Sequence, residues 1–372
     1  MKIFIGNNLN CGLNYQYTYI YNKLLENFQI TDNVKEADKI IFASTCSCTK
    51  FHILYTLNYI SSVLKDKKEK AEVYLTGCLT REFIDNPELN TYKKWLNKHI
   101  DYIIPNTKPN MLLKLISKDF YGDLDENDFG FVYGDGKTAV MYLATGCQNN
   151  CSFCKVSFQK MPLKSADINE VKEYIDIIDE QNYSELILKA TNICQYGLDL
   201  YNDYMLKELI KYLEDKKNIK SVSLSGFSFK DAIKNDFEKY IRESSKVIEL
   251  CGSLESGSDR ILNLIRKGFT SDEIIEFVTN IRKYQYKKLY LNIISGFPTE
   301  NIEDVKRTLD VLEQLDPYRV DINRYTNSPF INSNSFPQLS PEKIEEHTRI
   351  YSKVLKKRGK IIKINGEGYV YN

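Results

Sequence analysis

The 372-residue sequence has no apolar run near the ~20 residues that span a bilayer, which excludes an integral helical membrane protein. Its opening MKIFIG meets polar NNLN too soon to form the apolar core of a secretory signal. Net charge is also lacking. With 51 Lys and Arg against 50 Asp and Glu, no global field draws the chain to nucleic acid or to an anionic membrane. Histidine is scarce, limited to His52, His99 and His347. There is no internal repeat and no low-complexity tract. A cytoplasmic chain of two domains is expected, at roughly 150 residues per domain, with ample length to bury a core. What the sequence does have is nine cysteines. An odd count in a large, unsecreted chain makes a poor disulfide framework and points to metal or thiol chemistry.

Hydrophobic patterning divides the chain. Residues 1–120 alternate short apolar strands (2–6, 39–44, 72–77, 101–104) with helical stretches near 15–28 and 50–65 and from about Asn110. Such alternation predicts an α/β domain with a parallel, Rossmann- or flavodoxin-like sheet. Residues 121–136 are acidic and Gly-rich and read as a linker. Residues 137–330 carry six further strands, at 138–144, 185–190, 220–226, 246–250, 288–294 and 318–324, with helices between them. Six βα units are too few for a closed eight-stranded barrel. They fit an open (β/α)6 partial TIM barrel with its chemistry at the C-terminal strand ends. Residues 331–372 form a tail: a helix with Ser340 as N-cap, Pro341 in its first turn and Gly359 as C-cap, then KIIKIN (360–365) as a candidate edge strand.

The cysteines fall at informative places. Cys147, Cys151 and Cys154 form C-x3-C-x2-C directly after the first barrel strand. Three thiolates on one such loop can converge on a metal centre, and three ligands for four irons leave one iron open to a small molecule. A structural zinc site with a remote fourth ligand is the alternative, disfavoured by the missing second Cys or His pair. Cys11, Cys46 and Cys78 each follow a different strand of the first half, so in a parallel sheet all three loops lie on one rim. They suggest a second three-thiolate centre, although cysteine is also a common small buried residue. Cys48 is a spare thiol or an alternative ligand, and Cys194 and Cys251 read as small buried residues.

C-x3-C-x2-C with an aromatic, Phe153, before the last cysteine resembles the signature of radical S-adenosylmethionine (SAM) enzymes. NCGLN (10–14), STC (44–46) and TGC (76–78) resemble the cysteine motifs of the methylthiotransferase amino-terminal domain. LKATNICQYGLD (188–199), SLESGSDRILNLIRKGFT (253–270) and NIISGFPTENIEDVKRTL (292–309) are similar to segments of the same family, so the likeness runs from about residue 2 to 330. It implies that Cys147, Cys151 and Cys154 hold a SAM-binding 4Fe–4S cluster, reduced by a protein such as flavodoxin or ferredoxin. It also implies that Cys11, Cys46 and Cys78 hold an auxiliary 4Fe–4S cluster that delivers methylated sulfur into a shared cavity. Because an unactivated carbon offers no acid–base route, cofactor radicals carry the hard step. SAM is expected on the barrel rim. Phe153 packs on adenine, and Thr191 and Asn192 reach the methionine moiety. Ser223, Ser225, Glu255, Ser256, Arg266, Asn292, Gly296 and Glu300 complete the set.

Departures from the family pattern matter as much. Glu255 stands where the family has Gln, Asn292 where it commonly has Asp, and Thr299 where it has Gly. Thr326, Asn327 and Ser328 replace Ser-x-Arg. Altered pocket charge permits a different substrate. Known members act on an adenosine beside the tRNA anticodon or on an aspartate of a ribosomal protein, and carry a carboxy-terminal TRAM barrel. Only 13 residues follow the last expected helix, too few for that barrel. The basic cluster Lys353, Lys356, Lys357, Arg358, Lys360 and Lys363 is read as a solvated helix end rather than a phosphate site. The expected substrate is therefore a peptide, ribosomally made and then modified, or a small metabolite, with nucleic acid disfavoured and no membrane partner. A peptide could pair with KIIKIN if that edge is free. The alternatives are tRNA methylthiolation, and a radical SAM reaction whose auxiliary cluster donates sulfur by sacrifice or only conducts electrons. A non-catalytic iron–sulfur carrier stands outside both classes.

Overall fold

The computed structural model describes residues 1–6, 24, 28–45, 50–77, 79–80, 90–104, 109–116, 131–133, 137–154, 162–328 and 331–365. Two compact units emerge, Met1–Gly130 and Phe131–Asn372. Among the described residues no helix is long and apolar enough to cross a membrane.

The first unit is built on β1 (Lys2–Gly6), β2 (Gln29–Ile30), β3 (Lys39–Thr45), β4 (Glu72–Gly77) and β5 (Tyr102–Ile103). They form one sheet in the order β2-β1-β3-β4-β5, parallel throughout. Runs such as KIIFAST are apolar at consecutive positions because a parallel sheet is covered on both faces. Ile40, Phe42, Val73 and Leu75 pack on one face with Ile53, Leu57 and Ile60 of α1 (Lys50–Leu64) and Leu96 of α2 (Asn90–His99). Ile3, Ile5, Ile41, Ala43 and Tyr74 pack on the other, with Leu112 and Ile116 of α3 (Pro109–Ile116). The two-residue β2 is too short to announce itself in sequence. Cys11, Cys46, Cys48 and Cys78, and most of the helical stretch near 15–28, lie outside the described residues. Adjacent strands β3 and β4 do end at Thr45 and Gly77, where the Thr45 hydroxyl donates to the Thr76 carbonyl.

The second unit has a nine-stranded sheet. Its parallel core is β7 (Thr138–Thr145), β9 (Glu185–Ala190), β10 (Ser221–Phe227), β11 (Val247–Glu255), β12 (Lys288–Ser295) and β13 (Arg319–Arg324), the six strands anticipated above. β8 (Lys164–Ser165) pairs antiparallel with β7. β14 (Ile361–Asn365) adds parallel to β13 as the outermost strand on that side. Phe131–Tyr133, inside the stretch read as linker, instead forms β6 and pairs antiparallel with β7 at Val132↔Val140. Three strand-forming residues flanked by Gly and acidic positions gave too short a signal.

Burial shows which way each strand faces. In β10, Val222 and Leu224 are fully buried while Ser223 and Ser225 are half-exposed. β9 repeats this with buried Leu186 and Leu188 against half-exposed Ile187 and Lys189. The apolar row takes the helices, among them α4 (Ile168–Glu180), α6 (Leu206–Glu214) and α10 (Ser271–Ile281), leaving the polar row to line the barrel interior. Reciprocal capping boxes start α10 at Thr270/Glu273 and α11 (Ile302–Leu315) at Asn301/Asp304. The tail helix α12 (Pro341–Lys357) has Ser340 as its N-cap as expected. Its C-cap is Arg358, one residue earlier than the sequence suggested, and Gly359 follows in the left-handed region at φ +71°.

Gly226 interrupts β10 at φ +83°, where an added Cβ would lie 2.0 Å from the Ala190 carbonyl oxygen. Gly226→Ala is therefore expected to cost at least about 2 kcal/mol in chemical denaturation, from backbone strain and the clash together. Unchanged stability would show that β9 and β10 do not approach so closely.

Candidate functional site

The loop after β7 carries Cys147, Cys151 and Cys154, all half-buried. Its backbone is pinned from three sides. The Ser152 N–H donates to Ile265 O (2.9 Å) and its hydroxyl to Leu264 O (2.8 Å), while Ser333 N–H donates to Ser152 O (2.9 Å). Gln148 N–H donates to the Gln195 side-chain carbonyl (2.9 Å).

Beneath the loop lies a residue that sequence reading missed. Asp231 is 6% exposed, in α7 (Phe229–Lys234). Its carboxylate accepts from Asn149 Nδ2 (2.8 Å), Asn192 Nδ2 (2.8 Å), Gln195 Nε2 (3.3 Å) and Ser228 Oγ (2.6 Å). Burial pushes the carboxyl up, but the donors from Ser228, Asn192, Asn149 and Gln195 outweigh it and hold it below the usual carboxylate range. In sequence, Ser228-x-x-Asp231 looks like ordinary helix capping, which concealed the residue. Asn192 Nδ2 also approaches Cys147 Sγ at 3.5 Å. Asn192 Oδ1 and Thr191 Oγ1 are buried with no hydrogen-bond partner among the described residues. A buried oxygen left so costs about 1–3 kcal/mol, a deficit that a polar ligand would offset.

Burial pushes the Cys151 thiol up to about 11. Lys267 opposes this, while Cys154, Glu255 and Cys147 add to it. Metal coordination removes such a proton outright. Glu255 ends β11 in the left-handed region (φ +66°) and pairs with Lys267 at 3.3 Å, their side chains 7% and 13% exposed. Lys267, also missed in sequence, balances the charge of Glu255.

Other rim candidates are placed differently. Phe153 packs against Ile261, Ile265, Ile294 and Phe297. Ser223 and Ser225 face the barrel interior, as does Asn292, whose Oδ1 accepts from Asn323 Nδ2 at 3.3 Å. Three of the candidates are engaged within the chain itself. The buried Ser256 hydroxyl meets Thr308 Oγ1 (3.1 Å) and accepts from Ser258 N (3.1 Å), so it fastens a turn to α11. Glu300 accepts from Gly296 N (2.7 Å), His347 Nδ1 (2.8 Å) and Tyr351 Oη (3.2 Å), occupying both oxygens. Burial pushes its carboxyl up, with His347 foremost among the groups that resist. The close approach at Gly296 is made by α12, for an added Cβ would meet Ile344 at 2.5 Å. Arg266 stands exposed as the left-handed cap (φ +62°) of α9 (Asp259–Ile265). Cys194 is fully buried, as expected; Cys251 is mostly buried, with slight exposure, in β11 beside Ser225.

Three thiols on one anchored loop, next to two orphaned buried oxygens, fit an iron–sulfur cluster with an organic ligand. Among the described residues no three Cys, His, Asp or Glu converge on a single ion. A cluster binds its cysteines at separate irons, so they need not meet at one point. Residues 141–312 match the radical SAM superfamily. That stretch is similar to radical SAM enzymes, and methylthiotransferases are among the chain's relatives. Aligned with it at 25% identity, over 94% of this chain and 87% of the relative, is the threonylcarbamoyladenosine tRNA methylthiotransferase MtaB of Aquifex aeolicus. At 26%, over 92% of this chain and 78% of the relative, comes the ribosomal protein uS12 methylthiotransferase RimO of the same organism. The fold is similar to that of the radical SAM methyltransferase TsrM from Kitasatospora setae, solved with cobalamin and a [4Fe-4S] cluster, with TM-score 0.58 and 12% identity over 90% of this chain and 76% of that one. Radical SAM methylthiotransferases use SAM and two 4Fe–4S clusters.

The Glu255–Lys267 pair sets up a test. Lys267→Met strands a buried carboxylate and is expected to cost about 3–5 kcal/mol of unfolding free energy, whereas Glu255→Gln with Lys267→Met recovers most of it. A double variant no more stable than the single one would show that the two charges do not compensate each other.

Proposed function

We propose that the protein forms a carbon–sulfur bond, by methylthiolation, at an unactivated carbon of a peptide or small metabolite. The observation that carries this is the thiol loop of Cys147, Cys151 and Cys154 standing beside the unpartnered buried oxygens of Thr191 and Asn192 at the C-terminal end of a barrel strand. When bound there, a 4Fe–4S cluster with SAM supplies the electron and the carbon radical that removes hydrogen from the substrate. The chain's own residues position and shield. Asn192 holds Cys147 and presents its free Oδ1 to a polar group. Phe153 closes the apolar side of the loop against Ile261 and Phe297. Cys11, Cys46 and Cys78 would hold the auxiliary cluster that supplies sulfur.

A peptide or metabolite is favoured by charge. The formal net charge is +1. Part of the basic tail is already committed within the protein: Arg358 donates to Leu309 O (2.8 Å) and Glu313 (2.7 Å), and Lys360 pairs with Asp316. Four exposed lysines remain, Lys353, Lys356, Lys357 and Lys363, a modest complement for RNA, whose phosphate contacts dominate affinity. Modification of a tRNA adenosine is the second reading, favoured by the tRNA methylthiotransferase that aligns with 94% of this chain.

Anaerobic reconstitution followed by iron counting and product analysis tests the assignment. Wild type should hold about eight irons, four per cubane, and release 5′-deoxyadenosine from SAM. Cys11→Ala/Cys46→Ala/Cys78→Ala should hold about four irons and still form 5′-deoxyadenosine, but yield no methylthiolated product. Cys147→Ala should form no 5′-deoxyadenosine. An iron count unmoved by the triple substitution would remove the auxiliary centre from the account.

A further inference from the structure

The strand register places a row of six cross-strand neighbours on the barrel's interior face: Tyr142, Lys189, Ser225, Cys251, Tyr290 and Arg319. Its charges are unequally served. Arg319 is fully engaged, with Nε on Asp321 at 2.9 Å, NH2 at 3.3 Å and its guanidinium over the Tyr290 ring at 4.4 Å. Asp321 also accepts from Tyr290 Oη (2.6 Å), and Glu249 accepts from Tyr318 Oη (2.8 Å). Lys189 is the exception. Its half-buried ammonium has no ion pair and no hydrogen bond among the described residues, only the Tyr142 ring at 5.6 Å. Removing an ammonium from bulk water without an anion is costly. Thr191, whose hydroxyl oxygen is one of the two orphaned atoms, lies two residues on, just past the C-terminal end of β9.

We propose that Lys189 is the counter-charge for a carboxylate on the substrate, which enters the barrel interior with that group seated between Lys189 and the Ser225 hydroxyl. This rests on the radical SAM reading of the same barrel and adds the chemical class of what the barrel receives. A single ammonium and a neighbouring hydroxyl match the single charge and two oxygens of a carboxylate. A phosphate, with close to two charges, asks for a second cation, and the row's other cation is held by Asp321. Glu249 on β11 and Asp321 on β13 discourage any further negative charge. The Cys251 thiol beside Ser225, pushed up to about 12 chiefly by burial, stays neutral and leaves the ammonium's charge for the ligand. An acidic side chain or the carboxyl terminus of a peptide meets these requirements.

Competitive acylation of lysines read by peptide mass spectrometry tests the site without any substitution that could unfold the chain. The full-length reconstituted protein is treated with acetic anhydride alone, or with an excess of propionate, of its neutral isostere propionamide, or of inorganic phosphate. Exposed Lys283 serves as the reference. An adjacent carboxylate that strengthens proton binding tenfold slows acylation about tenfold, so propionate should protect Lys189 by about that factor and propionamide should not. Equal acylation with and without propionate overturns the proposal, and stronger protection by phosphate overturns the carboxylate assignment in favour of a phosphate ligand. Wild-type 5′-deoxyadenosine formation, measured on the same sample, reports separately on the radical SAM reading.

Discussion

One carboxylate organises the site. Asp231 collects side-chain donors from the cysteine loop (Asn149), from the segment after β9 (Asn192 and Gln195) and from its own cap (Ser228). These three segments are far apart in sequence, and the carboxylate joins the Gln148–Gln195 hydrogen bond and the sheet pairing in fixing their relation. A buried anion satisfied by four donors is a strong restraint because each lost donor leaves charge unsolvated in a poorly polarisable setting. The position of Cys147, and of the free oxygens of Thr191 and Asn192, follows from that node.

The rest of the barrel divides its polar residues between holding and receiving. Ser256 and Glu300 hold: their hydrogen bonds are closed within turns and against α12, so the tail helix acts as a brace on the loop after β12. Lys267 balances the charge of Glu255 next to the cysteine loop. Lys189 and the Ser225 hydroxyl of β10 are the groups assigned to the substrate above. A radical enzyme needs this division, since a reactive carbon centre is controlled by what surrounds it rather than by proton transfer.

The strands and the thiol loop were legible in sequence because each rests on a local pattern: apolar runs bounded by turns, and cysteines at fixed spacing. All six core strands lie within a few residues of their expected positions. β6 escaped because three residues within an acidic, Gly-rich stretch carry too little periodicity. Asp231 and Lys267 escaped because their roles depend on partners 82 and 12 residues away, and nothing local distinguishes a capping Asp from a structural node. Ser256, Gly296 and Glu300 lie inside family-like motifs, but such a motif can be retained for packing as readily as for ligand contact. The side chains of Ser256 and Glu300 are spent on α11 and α12, and Gly296 leaves room for α12 to approach.

If Asp231 fixes the thiol loop, its charge should govern how tightly iron is kept. The direct measurement is the rate at which a ferrous chelator strips iron from anaerobically reconstituted Asp231→Asn compared with wild type. Asn is nearly the same size but turns a donor toward Asn149, Asn192 and Gln195. Iron should leave the variant at least about tenfold faster, the equivalent of 1.4 kcal/mol of lost restraint. Indistinguishable rates, in a variant that folds normally, would contradict the account.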